Sequence, residues 1–221
     1  MKYFFLLTAA TLVSVNTYSQ TFKKDARPDS IKQDYFDEYQ AGQISKLDIL
    51  RALDGVGVRI FNCQLLPRFV KTYHITVDVD EYLNGRLIST KNISPNDKNT
   101  YTYWENEKPY ADYLSNIQFS TLDSDTACML KIKMMGNSSG MRLKKQQSRK
   151  NQWYSWRRFG KTNWTLNEKK PLLVYSSSWY DKKFDIERSC GAVDLSNDKE
   201  ATKELLESSS HYFMVSYKVS N

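Results

Sequence analysis

The amino-acid sequence predicts a mainly β protein, an antiparallel β-sandwich with two short peripheral helices. Three observations point there. Apolar residues alternate with period two in segment after segment, as strands with one face in a core require. Asn84-Gly85 stands between two such segments, and both residues tolerate the positive φ of a tight hairpin turn. No strand pattern alternates with long helical ones, so parallel βαβ architectures are excluded.

The chain opens MKYFFLLTAATLVSVNTYSQ. A lysine, an apolar run and small residues at 17 and 19 predict a secretory signal peptide over 1–19, cut after Ser19. The apolar run is too short to span a bilayer, and no later segment is long and apolar enough. The expected address is therefore secreted or periplasmic. Residues 20–34 are polar and contain Pro28, which predicts a flexible leader, and 35–221 read as one domain.

Ser45 is placed to cap a helix over KLDILRALD, where Leu47, Leu50 and Leu53 recur at helical spacing and Gly55 ends the run. VGVRIFNC (56–63) reads as the first strand. In TYHITVDVD (72–80), Tyr73, Ile75, Val77 and Val79 face the core, and His74, Asp78 and Asp80 face solvent. RLISTKNI (86–93) returns from the turn. NIQFSTL (116–122) and ACMLKIKMM (127–135) follow, with Cys128, Leu130, Ile132 and Met134 on one side. PLLVYSSSWY (171–180) is another strand. Asn197 with Glu200 forms a capping-box pattern for a second, mostly polar helix. HYFMVSYKVS (211–220) closes the pattern, with Phe213, Val215, Tyr217 and Val219 inward and Tyr212, Ser216 and Lys218 outward.

Charge is concentrated. The chain carries a net +7, yet residues 126–167 contain ten lysines and arginines and no acid, so the remainder is net acidic. The natural partner of that segment is an anion. Within it, RKNQWYSWRRFGKTNW (149–164) interleaves rings with cations. If 152–159 is a strand, Trp153, Ser155, Arg157 and Phe159 share one side, Tyr154, Trp156 and Arg158 the other. Neither side is purely apolar, so at least one indole is expected to be partly exposed with an arginine beside it. Trp153, Tyr154, Trp156, Arg157, Arg158 and Trp164 are the candidate ligand-binding residues. Rings stack on the C–H faces of sugars, and guanidinium forks take carboxylate, sulfate or phosphate. The expected partner is an anionic glycan or another envelope component. Single-stranded nucleic acid would suit the same groups, but export and the lack of an RNA-binding motif argue against it. Attachment to anionic headgroups through 140–156 is a further option.

Catalytic and cofactor signals are sparse. The sequence has no G-x-G-x-x-G, P-loop, G-x-S-x-G or H-E-x-x-H, and no Cys/His cluster for a metal. No cofactor is expected. Asp78 and Asp80 on one strand face could serve as an acid and base pair, so a secreted hydrolase of envelope polysaccharide or peptide is the alternative to a non-enzymatic binder. Cys190 with His211 and Asp194 would be a thiol version of it. Of the three cysteines, Cys128 reads as a small buried hydrophobe, and Cys63 with Cys190 is the pairing favoured if a bridge forms.

The phrases DILRALDGVGVRIF, DEYLNGRLI, KTNWTLNEKKPLLVYSSSWYD, ERSCG and ELLESSSHYFMVSYKV resemble a group of exported, uncharacterised proteins of gut Bacteroidetes. The resemblance spans most of the chain after residue 19. It implies a secreted or periplasmic single-domain protein and carries over no functional residue.

Overall fold

A computed structural model describes residues 44–160, 162–189, 194–196 and 200–221. The chain divides into a unit ending at Ser45 and a β domain over Lys46–Asn221. The signal peptide 1–19, the leader 20–34, Cys190 and the Asn197 cap lie outside the described residues.

Helix α1 (Lys46–Gly55) leads into β1 (Val58–Leu66), β2 (His74–Leu83), β3 (Arg86–Asn92), β4 (Thr100–Glu105), β5 (Lys108–Tyr113), β6 (Asn116–Asp123), β7 (Ala127–Met134) and β8 (Asn137–Lys144). Next come β9 (Tyr154–Phe159), β10 (Thr162–Asn163), β11 (Lys169–Ser177), β12 (Trp179–Asp181), β13 (Ile186–Arg188), β14 (Asp194–Leu195), α2 (Glu200–Ser208) and β15 (His211–Ser220). They build a mainly β sandwich of two layers. One sheet has the order β10-β1-β6-β7-β8 and the other β14-β9-β11-β15-β2-β3. Pairing is antiparallel except where two-residue strands join an edge in parallel, β10 on β1 and β14 on β9.

The alternation read from sequence is what packs the layers. Ile75, Val77 and Val79 of β2 and Phe213, Val215, Tyr217 and Val219 of β15 are buried from one sheet, and Cys128, Leu130, Ile132 and Met134 of β7 from the other. Each such aliphatic or aromatic side chain contributes about 1.5–3 kcal/mol on burial. Asn84 and Gly85 adopt φ of 50° and 74° and close the β2–β3 hairpin.

Three expectations need correcting. Tyr212 and Ser216 were assigned to solvent but are buried. A second small cluster, Phe159, Val174, Leu195, Leu205 and Tyr212, covers part of the outer side of that sheet beneath α2. Strand β11 is consequently covered on both sides, and Leu172 through Ser178 are all buried. Helix α1 forms where its caps predict, but none of its residues is buried, and Leu47, Ile49 and Leu50 stay exposed. Finally, Cys63 and Cys128 are both free buried thiols, so the Cys63–Cys190 bridge is not made.

Candidate functional site

The six residues chosen from sequence do not form one surface. Strand β9 runs between β11 and β14, and it buries Tyr154 and Trp156 in the main core and Phe159 in the smaller cluster on the other side of the sheet. Trp156 is buried, stacked on Tyr175 at 4.7 Å between ring centroids and tilted against Phe61 at 5.9 Å. Tyr154 is buried as well. Its hydroxyl accepts the Gln146 N–H at 3.0 Å and lies 2.7 Å from His211 Nδ1. Trp164 is half-buried and stacks on Phe69 at 4.9 Å, and its indole N–H donates to the Pro67 carbonyl at 2.7 Å. Arg157 is half-buried and donates to the Trp156 carbonyl at 2.9 Å. Of the six, Trp153 and Arg158 are exposed, near opposite ends of the strand.

The cations of this stretch are also matched by acids from elsewhere in the chain. Arg158 is ion-paired with Asp194, which raises the guanidinium's pKa through its hydrogen bond and charge. Arg149 meets Glu187 at 2.7 Å and holds that carboxyl below the usual range. Lys145 meets Asp123 at 2.9 Å.

The other half of the acid-free segment behaves differently. Lys131 and Lys133 on β7 and Arg142 and Lys144 on β8 point away from the core. Among the described residues none of these four makes an ion pair. Register aligns them with polar and apolar neighbours across four strands. Asn62, Gln118, Lys133 and Ser138 form one row; Ile60, Ser120, Lys131 and Gly140 form the next; Val58, Leu122, Met129 and Arg142 form a third. No acid lies on this side of β1, β6, β7 or β8. A side chain at Gly140 would place its Cβ 2.7 Å from the Leu130 carbonyl oxygen and 3.3 Å from Lys131 Cγ, so the ladder beside Lys131 stays bare.

Two clefts flank the end of β1. A cleft of about 280 Å³ is lined by Asn62, Cys63, Gln64, Arg158 and Asp194. Burial pushes the Cys63 thiol up to about 12, so it is no nucleophile at neutral pH. A cleft of about 400 Å³ lies on the other side, lined by Arg68, Phe69, Asp112 and Tyr113 among others.

Beside the larger cleft stands a feature that sequence reading missed. Strands β4 and β5 pair with each other and with no other strand among the described residues. Tyr101, Tyr103 and Tyr110 share one face of this ribbon, with Tyr103 and Tyr110 directly paired and their rings 5.7 Å apart. Trp104, 71 % exposed, sits on the other face across from Pro109. The alternation Thr-Tyr-Thr-Tyr-Trp was the available signal. No aliphatic residue marks it as a strand, and the turn residues Asn106 and Glu107 take positive φ without a glycine.

The catalytic alternatives find no support in geometry. Asp80 is buried and salt-bridged to Lys169 at 2.6 Å, with Thr90 donating to it at 2.7 Å, and Asp78 faces the same ammonium at 3.6 Å. His211 is fully buried, which lowers its pKa, and its ring spans Tyr154 on one side and Glu81 on the other. Asp194 belongs to Arg158 instead. Among the described residues no cluster of His, Cys, Asp and Glu could hold a metal, and no helix is long and apolar enough to cross a membrane.

Comparison with known proteins adds a family and no activity. No curated protein and no solved structure matches the chain. The family model described as Domain of unknown function (DUF5041) matches residues 30–221, the whole β domain and part of what precedes it. The chain belongs to the DUF5041 family.

Proposed function

We propose that the protein is an exported, non-enzymatic β-sandwich that binds an anionic glycan of the cell envelope, cut after Ser19 and working in the periplasm or outside the cell. The ligand lies across the outward face of β7 and β8. One observation carries this reading: Lys131, Lys133, Arg142 and Lys144 share a face of β1, β6, β7 and β8 with no acid on it, and none of the four has a counter-ion among the described residues. An isolated surface ion pair is worth little, but several like charges on one face raise a local potential that attracts a polyanion. Amides at Asn62 and Gln118 lie in register with Lys133 and supply donors and acceptors for sugar hydroxyls.

The test is retention on immobilised polygalacturonate eluted with salt. The wild type should elute late and the Lys131→Gln, Lys133→Gln, Arg142→Gln, Lys144→Gln variant early. Trp153→Ala, on an exposed ring away from this face, should elute with the wild type. Equal elution of the quadruple variant and the wild type ends the proposal.

A further inference from the structure

The outward face of β1, β6, β7 and β8 holds more than cations. Leu122 of β6 is paired with Val58 of β1 on one side and Met129 of β7 on the other, and Ile60 lies two residues along β1 on the same face. Ile60, Leu122 and Met129 are 46 %, 49 % and 40 % exposed. Side chains directly opposite on neighbouring strands touch, so these residues form one aliphatic corner and are not scattered apolar groups. Val56, just ahead of β1, is 67 % exposed as well. A bare polysaccharide gives such a corner little to bind, because sugars stack on aromatic rings and the corner has none.

The corner abuts the cations. Met129 stands between Leu122 and Arg142, and Lys131 follows it along β7 on the same side. Neighbouring strands are about 4.8 Å apart, so aliphatic and cationic groups meet within ~10 Å. Lys131 itself stands between Ser120 and Gly140, so its row is low on either side. The acids at this end are matched or off the face. Asp54 meets Arg59 at 2.9 Å, Asp123 meets Lys145 at 2.9 Å, and Asp125 sits in the turn between β6 and β7. A ligand that fills both halves of the face carries negative charge and hydrocarbon in one molecule.

We propose that the ligand is an anionic glycolipid and that the protein works lying on the leaflet that displays it. The inference rests on the glycan reading above and adds the lipid. Acidic headgroup sugars lie over Lys131, Lys133, Arg142 and Lys144, and the aliphatic corner reaches the boundary where headgroup meets acyl chain. Attachment of this kind adds apolar burial to the attraction between basic side chains and an anionic surface. Long lysine and arginine stems let the charges stay at headgroup level while the corner goes deeper. The spacing favours a sugar headgroup over a bare phosphate. Lys133 is four residues along β7 from Met129, up to about 13 Å out from the corner, whereas a phospholipid leaflet offers only ~5–7 Å of headgroup beyond its hydrocarbon.

Flotation with phosphatidylcholine vesicles doped with sulfoquinovosyl diacylglycerol, an acidic glycolipid, tests this directly. The wild type should float with them and stay behind with phosphatidylcholine alone. Vesicles doped to equal charge with phosphatidylglycerol should bind at least tenfold less. Ile60→Thr, Leu122→Thr and Met129→Thr in one chain keep side chains that suit a strand. That variant should lose at least tenfold in vesicle binding yet elute from polygalacturonate with the wild type, which also shows that it is folded. The Lys131→Gln, Lys133→Gln, Arg142→Gln, Lys144→Gln variant should lose both. A wild type retained on polygalacturonate that does not float, equal binding to the two doped vesicles, or a threonine variant that floats like the wild type overturns the proposal. Early elution of the wild type from polygalacturonate sinks the glycan reading instead.

Discussion

Lys169 Nζ lies 2.6 Å from Asp80 Oδ2 and 3.6 Å from Asp78 Oδ2, so one ammonium from β11 holds the two alternate carboxylates of β2. The strands concerned are not neighbours, since β15 runs between them. Lysine reaches across it, which no local pattern in the sequence announces.

Lys169→Met should therefore destabilise the domain by about 1–3 kcal/mol, because it leaves Asp80 buried beside Thr90 without its cation. Asp80→Asn should cost less and Asp78→Asn least. Urea midpoints with an unchanged denaturant slope would establish this order. Turnover lost in Asp80→Asn while its midpoint stays put would point to catalysis instead.

Stability should fall as pH drops below about 6.5. Burial lowers the pKa of His211 in the folded protein below the ordinary imidazole value of about 6.5, so the unfolded chain takes up the proton first. The loss begins near 6.5 and levels off below the folded pKa. The His211 ring is held between Glu81, 3.1 Å from Nε2, and the Tyr154 hydroxyl, 2.7 Å from Nδ1. Thermal melts from pH 7.5 to 5 measure the slope, and His211→Leu should flatten it while lowering the melting point at pH 7.5.

Tryptophan accessibility separates the indoles sharply. Trp104 and Trp153 should be quenched by acrylamide in the native protein, and Trp156 should not. Trp156→Ala should cost about 3–5 kcal/mol, because it opens a cavity against Tyr175 and Phe61, whereas Trp153→Ala should cost well under ~1 kcal/mol. Single-tryptophan variants read by fluorescence would assign each signal.

Cys63 and Cys128 should resist iodoacetamide until the protein is denatured. Burial pushes their thiols up to about 12 and about 11, so neither carries much thiolate at neutral pH. Mass spectrometry of the alkylated native protein checks both positions. Rapid native labelling of Cys63 would mean that the cleft beside Arg158 opens.

Much of the fold was legible where one face is core and the other water. Strand β7 alternates from Cys128 onward, β2 does so from His74 to Val79, and Asn84-Gly85 fixed one hairpin. Legibility failed where a strand is covered twice. Neither side of β9 is purely apolar, because Tyr154 and Trp156 face the main core and Phe159 faces the small cluster with Leu195 and Leu205. The stretch also looked like unneutralised charge, since Asp194 and Glu187, the partners of Arg158 and Arg149, stand 36 and 38 residues away in sequence. The β4–β5 ribbon was missed for the opposite reason. Its rings pack on no core, so it lacks the aliphatic partners that make a strand recognisable.

The ten-residue ladder between β2 and β15 also governs when the domain can form. Its paired residues, from His74 with Ser220 to Leu83 with His211, are separated by 128 to 146 positions. Loop closure over such spans is slow, and no early fragment can take the place of β15. Until residues 211–220 have been synthesised, β11 and β2 have no strand between them, and the emerging polypeptide remains open, pliable and accessible to chaperones.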